Sequence, residues 1–167
     1  MAFVPLKEVP VTDFKSAVIA NSETVAVGDA LIPAATGHTK FVLGAASTTG
    51  RILGVCMAIL GLNGKVTELQ SIAAGASNET NKTYSVLYIP SHLPVEYLAD
   101  LSAAVDTTTD SGGLVSFNLN ATNNTLDETS VALFSATQKQ FVSYGNPDFP
   151  GIANTKVVGH WAQSLTI

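Results

Sequence analysis

Apolar residues in this chain come in short runs that end at glycine, proline or asparagine. Few windows place them at i, i+3, i+4 and i+7 over three turns, so helix signals are poor. Extended signals recur instead. Thr24-Val25-Ala26-Val27 runs into Gly28-Asp29, and Ala30-Leu31-Ile32 stops at Pro33. Lys40-Phe41-Val42-Leu43 lies between glycine-containing stretches, and residues 83–89 (TYSVLYI) stop at Pro90. Residues 114–119 (LVSFNL) follow the turn Asp110-Ser111-Gly112-Gly113, and residues 130–134, 140–144 and 155–161 complete the set. Short strands with turn chemistry between them predict an all-β fold, a small β-barrel or β-sandwich.

The longest apolar run, residues 52–62, is too short to cross a membrane as a helix, which needs about 20 apolar residues. As a strand it sets Leu53, Val55, Met57 and Ile59 on one face and Ile52, Cys56, Ala58 and Leu60 on the other. Both faces are apolar, so both are expected to be covered. Asn63-Gly64 then predicts a hairpin with a type I′ turn, and residues 65–72 the return arm. Residues 94–103 read equally as a short helix or as extended chain, and residues 13–19 are too short to decide. Residues 1–20 carry Pro5 and Pro10 and read as an N-terminal arm; residues 21–167 read as one β domain.

Composition narrows the function. Hydrophobic residues make up 46% of the 167 and charged residues only 13%, about half the usual share, so much of the exterior is expected to be covered by other protein. The net charge is −5 and no two of the eight Lys and Arg are adjacent, which argues against direct nucleic-acid binding. The first residues, MAFVPLKEVPVTDFK, lack the apolar stretch of a signal peptide. Accordingly, the sequons at Asn78, Asn81, Asn120 and Asn123 read as turn residues. Cys56 has no cysteine partner and reads as a small buried hydrophobe.

No chemical constellation stands out. His38, His92 and His160 lack metal-ligand spacing, so no metal or other cofactor is expected. The run Gly44-Ala45-Ala46-Ser47-Thr48-Thr49-Gly50 has the wrong spacing for a phosphate loop, and Arg51 stands where lysine is needed. Asp106 and Asp110 lack the glycine and spacing of a calcium loop, and Asp127-Glu128 reads as a turn before a strand. No catalytic residues are expected.

Three segments carry a family likeness: Thr24-Val25-Ala26-Val27-Gly28-Asp29-Ala30-Leu31, Gly50-Arg51-Ile52-Leu53-Gly54-Val55 and Asn63-Gly64-Lys65-Val66. Residues 23–72, about a third of the chain, resemble the decoration, or cement, proteins of tailed-bacteriophage capsids. Residues 97–102 and 125–128 are similar to phage virion proteins more loosely. The resemblance implies a β-barrel or sandwich without catalysis, attached to the capsid exterior by binding the major capsid protein, often as a trimer. On that expectation the arm docks on a neighbouring subunit through Phe3, Val4, Leu6, Val9 and Val11. Three alternatives stay open: a carbohydrate-binding β-sandwich stacking sugars on Tyr84, Tyr88 or Trp161, a tail or fibre component, and an enzyme whose site is assembled from distant loops around His92 or His160.

Overall fold

The computed structural model describes residues 2–19, 24–33, 40–43, 52–61, 63–72, 85–105, 114–120, 124–133, 139–144 and 154–162. The turn at 110–113, the run at 44–50, His38, Tyr84, Asp106 and the sequons at Asn78, Asn81 and Asn123 fall outside them. The strands are β1 (Phe3–Pro5), β2 (Lys15–Ile19), β3 (Val25–Ala26), β4 (Ala30–Pro33), β5 (Lys40–Leu43), β6 (Gly54–Leu60) and β7 (Ser71–Ile72). They continue as β8 (Ser85–Pro90), β9 (Tyr97–Val105), β10 (Val115–Phe117), β11 (Ala132–Leu133), β12 (Phe141–Ser143) and β13 (Asn154–Trp161). Two single 3-10 turns, Val11–Asp13 and Glu128–Ser130, are the only helical elements among the described residues. The all-β expectation therefore holds. The undecided segment 94–103 becomes extended β9, and 13–19 becomes the end of a 3-10 turn followed by β2.

The strands form two layers. Five close into a barrel in the order β2-β5-β4-β6-β8, with the ring completed by the parallel pair β2–β5. Six form a sheet in the order β1-β9-β13-β12-β10-β11, all antiparallel. The short pair β3–β7 stands apart. Period-two alternation gives the barrel wall two buried faces. Ala17, Ile19, Leu31, Cys56, Ile59 and Val86 cluster with Val25 and Ile72 inside the barrel. Ala30, Ile32, Val55 and Ile89 point the other way and pack under the sheet. There they meet an aromatic centre: Trp161 lies 4.9 Å from Phe3, 5.2 Å from Phe141 and 6.3 Å from Tyr97 between ring centroids.

The alternation expected along residues 52–62 breaks in the middle. A β-bulge between Cys56 and Ala58 opposes two β6 residues to one on β8. Met57 is the extra residue, so Val55 and Met57 pack toward the sheet while Ile59 joins Cys56 inside the barrel. Leu53, just before the strand, also packs on the barrel interior. The expected grouping of Leu53, Val55, Met57 and Ile59 on one face is thereby corrected.

The turn at Asn63-Gly64 is corrected as well. Among the described residues other than glycine only Asn124 has a positive φ, so Asn63 does not adopt the type I′ conformation. Gly64 alone is left-handed, with φ of 74°. Its N–H donates to Gly61 O at 2.8 Å, and Gly61 N–H donates to Lys65 O at 2.9 Å, a wider glycine-bulge connection. The return arm is joined to β6 by the Leu60–Val66 bridge and by Thr67, then leaves as β7 to pair with β3.

Residues 2–19 do not form a detached arm. β1 is the edge strand beside β9, with Phe3 opposite Ala99, and β2 is a barrel strand between β5 and β8. The turn from Ala26 to Asp29 ties the layers together. Gly28 O accepts Phe3 N–H at 3.0 Å, Gly28 N–H donates to Cys56 O at 2.7 Å, and Asp29 O accepts Cys56 N–H at 2.9 Å. The Asp29 carboxylate caps the turn by accepting Ala26 N–H at 2.6 Å, and burial holds its pKa above the usual carboxylate value. A second clamp is Asn124, left-handed at φ 53°, whose amide accepts Ala30 N–H at 2.8 Å and donates to Ala30 O at 3.1 Å. Asparagine tolerates that conformation better than most residues.

Candidate interaction surface

One face of the six-stranded sheet is filled by the barrel wall; the other points away from it. Phe3, Tyr97, Ala99, Val157, Trp161, Phe141 and Phe117 occupy the inward positions, so their strand neighbours point outward. The register sets those neighbours side by side. Val4 pairs with Leu98, and Leu98 with Val158. Tyr144 N–H donates to Val158 O at 3.3 Å, and the Val115–Ser143 pair places Leu114 opposite Tyr144. Val4, Leu98, Val158, Tyr144 and Leu114 thus form one apolar row across five strands, about 19 Å long at the usual strand spacing. Val4, Tyr144 and Leu114 are 37%, 45% and 39% exposed, Leu98 is half-buried and Val158 is buried.

On one side of the row lies the cross-strand ion pair Lys156–Asp100. On the other lie Leu6, Glu96 and His160. Leu6 N–H donates to Glu96 O at 2.9 Å, and the Tyr144 hydroxyl donates to Glu96 Oε1 at 3.1 Å. Burial first, and then the bond to Glu96, hold the Tyr144 phenol above its ordinary pKa. Val142 and Ser116, further along this second row, are fully buried.

Beside Glu96 the chain leaves a groove of about 580 Å³ between the segment after β1 and the segment before β9. Leu93, Val95 and Val9 supply apolar wall; Lys7, Glu8, Asp13, Glu96 and His160 supply charge and polarity. His160 Nε2 is buried with no protein hydrogen-bond partner among the described residues. Burial lowers the imidazole pKa below its ordinary value, and Glu96 partly opposes this.

The five arm residues are divided by the fold. Phe3 is fully buried in the aromatic centre, a correction to its expected docking role, because pairing with β9 turns its ring into the chain's own core. Val4 lies in the apolar row, and exposed Leu6 flanks it. Val9 is half-buried against the core, and Val11, 72% exposed, stands on the 3-10 turn outside the row. The sugar platform loses Trp161, which is 1% exposed, and Tyr88 packs against the barrel core. His92 is exposed and does not line the groove that holds His160. Glu96 bonds Tyr144 rather than His160. No group of three or more metal-ligating side chains occurs among the described residues, and no helix there is long and apolar enough to cross a membrane.

Leu98, Val158, Tyr144 and Leu114 were not singled out by sequence reasoning, yet a signal was present. Phe3-Val4, Tyr97-Leu98, Leu114-Val115 and Val157-Val158 are adjacent apolar pairs in or beside strands. A strand with one wet face alternates; an apolar pair puts one residue on each face.

Fold and surface together define an all-β protein whose sheet carries an apolar row on the face turned away from the barrel. Compared with known proteins, the chain matches no family model, no curated protein and no solved structure. The likeness to capsid decoration proteins therefore rests on the quoted residues alone.

Proposed function

We propose that this chain is a virion structural protein that decorates and stabilises a tailed-bacteriophage capsid by binding the major capsid protein from outside. The observation that carries this reading is the apolar row Val4, Leu98, Val158, Tyr144 and Leu114 on the sheet face turned away from the barrel. Single exposed apolar residues are ordinary, but Tyr144 and Leu114 are exposed side by side, with Leu98 and Val4 further along the same row, a grouping suited to a contact site. A stable protein–protein interface buries about 1,600 Å² in total, with an aromatic anchor near its centre. Tyr144 supplies such an anchor, and the low charge content suits a surface covered in the assembled particle. A trimeric assembly on the shell belongs to the same proposal.

The test is binding to empty capsids that lack the protein, scored as copies per capsid. Tyr144→Ser with Leu114→Ser changes two exposed side chains and should cut occupancy at least tenfold. Val66→Ser with Leu69→Ser, at least as exposed but in the return arm, should leave it unchanged. Full occupancy by the first variant, or no binding by the unaltered chain, overturns the proposal.

A further inference from the structure

We infer that the groove beside the apolar row is a subsite for an arginine side chain of the protein partner. This inference rests on reading the sheet face as a protein-binding surface and adds the chemistry of the partner. Position is the first argument. His160 and Val158 lie two residues apart on the same face of β13, and Tyr144 of the row bonds Glu96 of the groove. A polypeptide laid on the row therefore passes the groove mouth at a distance of about 7 Å.

Charge is the second argument. Glu8, Asp13 and Glu96 face Lys7 alone, so the lining carries more negative than positive charge. Leu93, Val95 and Val9 form an apolar wall suited to the methylene stem of a long cationic side chain. Hydrogen-bond capacity is the third. Glu96 uses Oε1 to accept from Tyr144, which leaves Oε2 for another donor. His160 lines the groove without adding an acceptor, because its Nε2 is closed to solvent, so the carboxylates carry the recognition. A guanidinium presents several N–H groups in a fixed plane that matches the edge of a carboxylate such as Glu96; a lysine ammonium has no such fork. Burial keeps the imidazole neutral at pH 7, which removes the repulsion an imidazolium would add.

The experiment uses the full chain and two probes, acetyl-Val-Arg-Val-amide and acetyl-Val-Gln-Val-amide, followed by the imidazole resonances of His160 and by calorimetry. The arginine peptide should bind about tenfold more tightly than the glutamine peptide, as one charge-assisted contact implies. Glu96→Gln should erase that preference. Glu8→Gln with Asp13→Asn, on exposed residues unconnected to the core, should reduce it without affecting folding. Equal affinity for the two peptides, or a preference untouched by either variant, overturns the inference. Capsid occupancy that survives the groove variants also overturns it while leaving the apolar row as the docking surface. Loss of occupancy on Leu114→Ser alone, a residue outside the groove lining, supports the row independently of the groove.

Discussion

Phe3→Ala is the sharpest test of how the N-terminal residues are used. A docking arm predicts that the ring matters only when a partner is present. The structure places it at 0% exposure, 4.9 Å from Trp161 and 6.0 Å from Phe141 between centroids. Truncating a buried phenylalanine costs about 3–5 kcal/mol, because the transfer energy is lost and a cavity remains. The backbone bond from Phe3 N–H to Gly28 O stays available in the variant, so the loss belongs to the side chain. Domains of ordinary stability have about 5–15 kcal/mol in all, so the variant should fold but lie near the margin. With a urea slope of about 2 kcal/mol per molar, the midpoint should fall by about 2 M. Val11→Ala, at 72% exposure on the same segment, should move it by less than about 0.5 kcal/mol. Urea titrations of the isolated chain followed by tryptophan fluorescence read both, since Trp161 sits against the deleted ring. Equal midpoints for Phe3→Ala and the unaltered chain would refute the packing described for β1.

Three further predictions follow from buried positions. Gly159→Ala would set a Cβ 2.0 Å from Val142 O and 2.7 Å from the Phe141 ring, forcing β12 and β13 apart; a loss of about 3 kcal/mol in urea is expected, and a gain would show that the strands are less closely apposed. Cys56 lies inside the barrel, where burial and then the Asp29 charge push its thiol up to about 12; a disulfide-exchange reagent at pH 8 should label it only in denaturant, and stoichiometric native labelling within minutes contradicts its placement. Because the folded pKa of His160 is depressed below 6.5, the unfolded chain binds the proton first, so the stabilising effect is complete above the unfolded value and is lost as pH falls through 6.5 toward the folded one. Urea midpoints between pH 8 and 5 should show that decline in the unaltered chain and a smaller one in His160→Gln; identical slopes would refute it.

Local chemistry made the strands legible before their partners were known. Val25–Ala26, Lys40–Leu43, Ser85–Pro90 and Asn154–Trp161 fall inside or within a residue or two of runs marked by β-branched residues and bounded by turn residues. What local pattern cannot carry is pairing across long separations. The parallel closure of β2 on β5 and the seating of β1 against β9 depend on contacts far apart in the chain, and Phe3 is buried only because of the second. The bulge after Cys56 was hidden for a different reason: when both faces of a strand are apolar, a one-residue slip leaves the hydrophobic pattern intact. The groove at His160 was equally out of reach, since it joins residues from the start, middle and end of the chain.

The two cores explain why the outward face of the sheet is free for the proposed docking. Barrel strands β6 and β8 act as a shared wall, sending Cys56, Ile59 and Val86 inward and Val55 and Ile89 toward the sheet. With that wall in place, the aromatic centre around Trp161 is already filled from the barrel side. The outward row completes neither core. The short edges are also blunted: β1 has three residues, one of them Pro5 without an N–H, and the Phe3 N–H is taken by Gly28; β11 has two residues. Strand addition at an edge is thus disfavoured. On the proposed reading an incoming protein would therefore meet the face rather than the rim, and side chains such as Tyr144 and Leu114, not backbone groups, would supply the recognition.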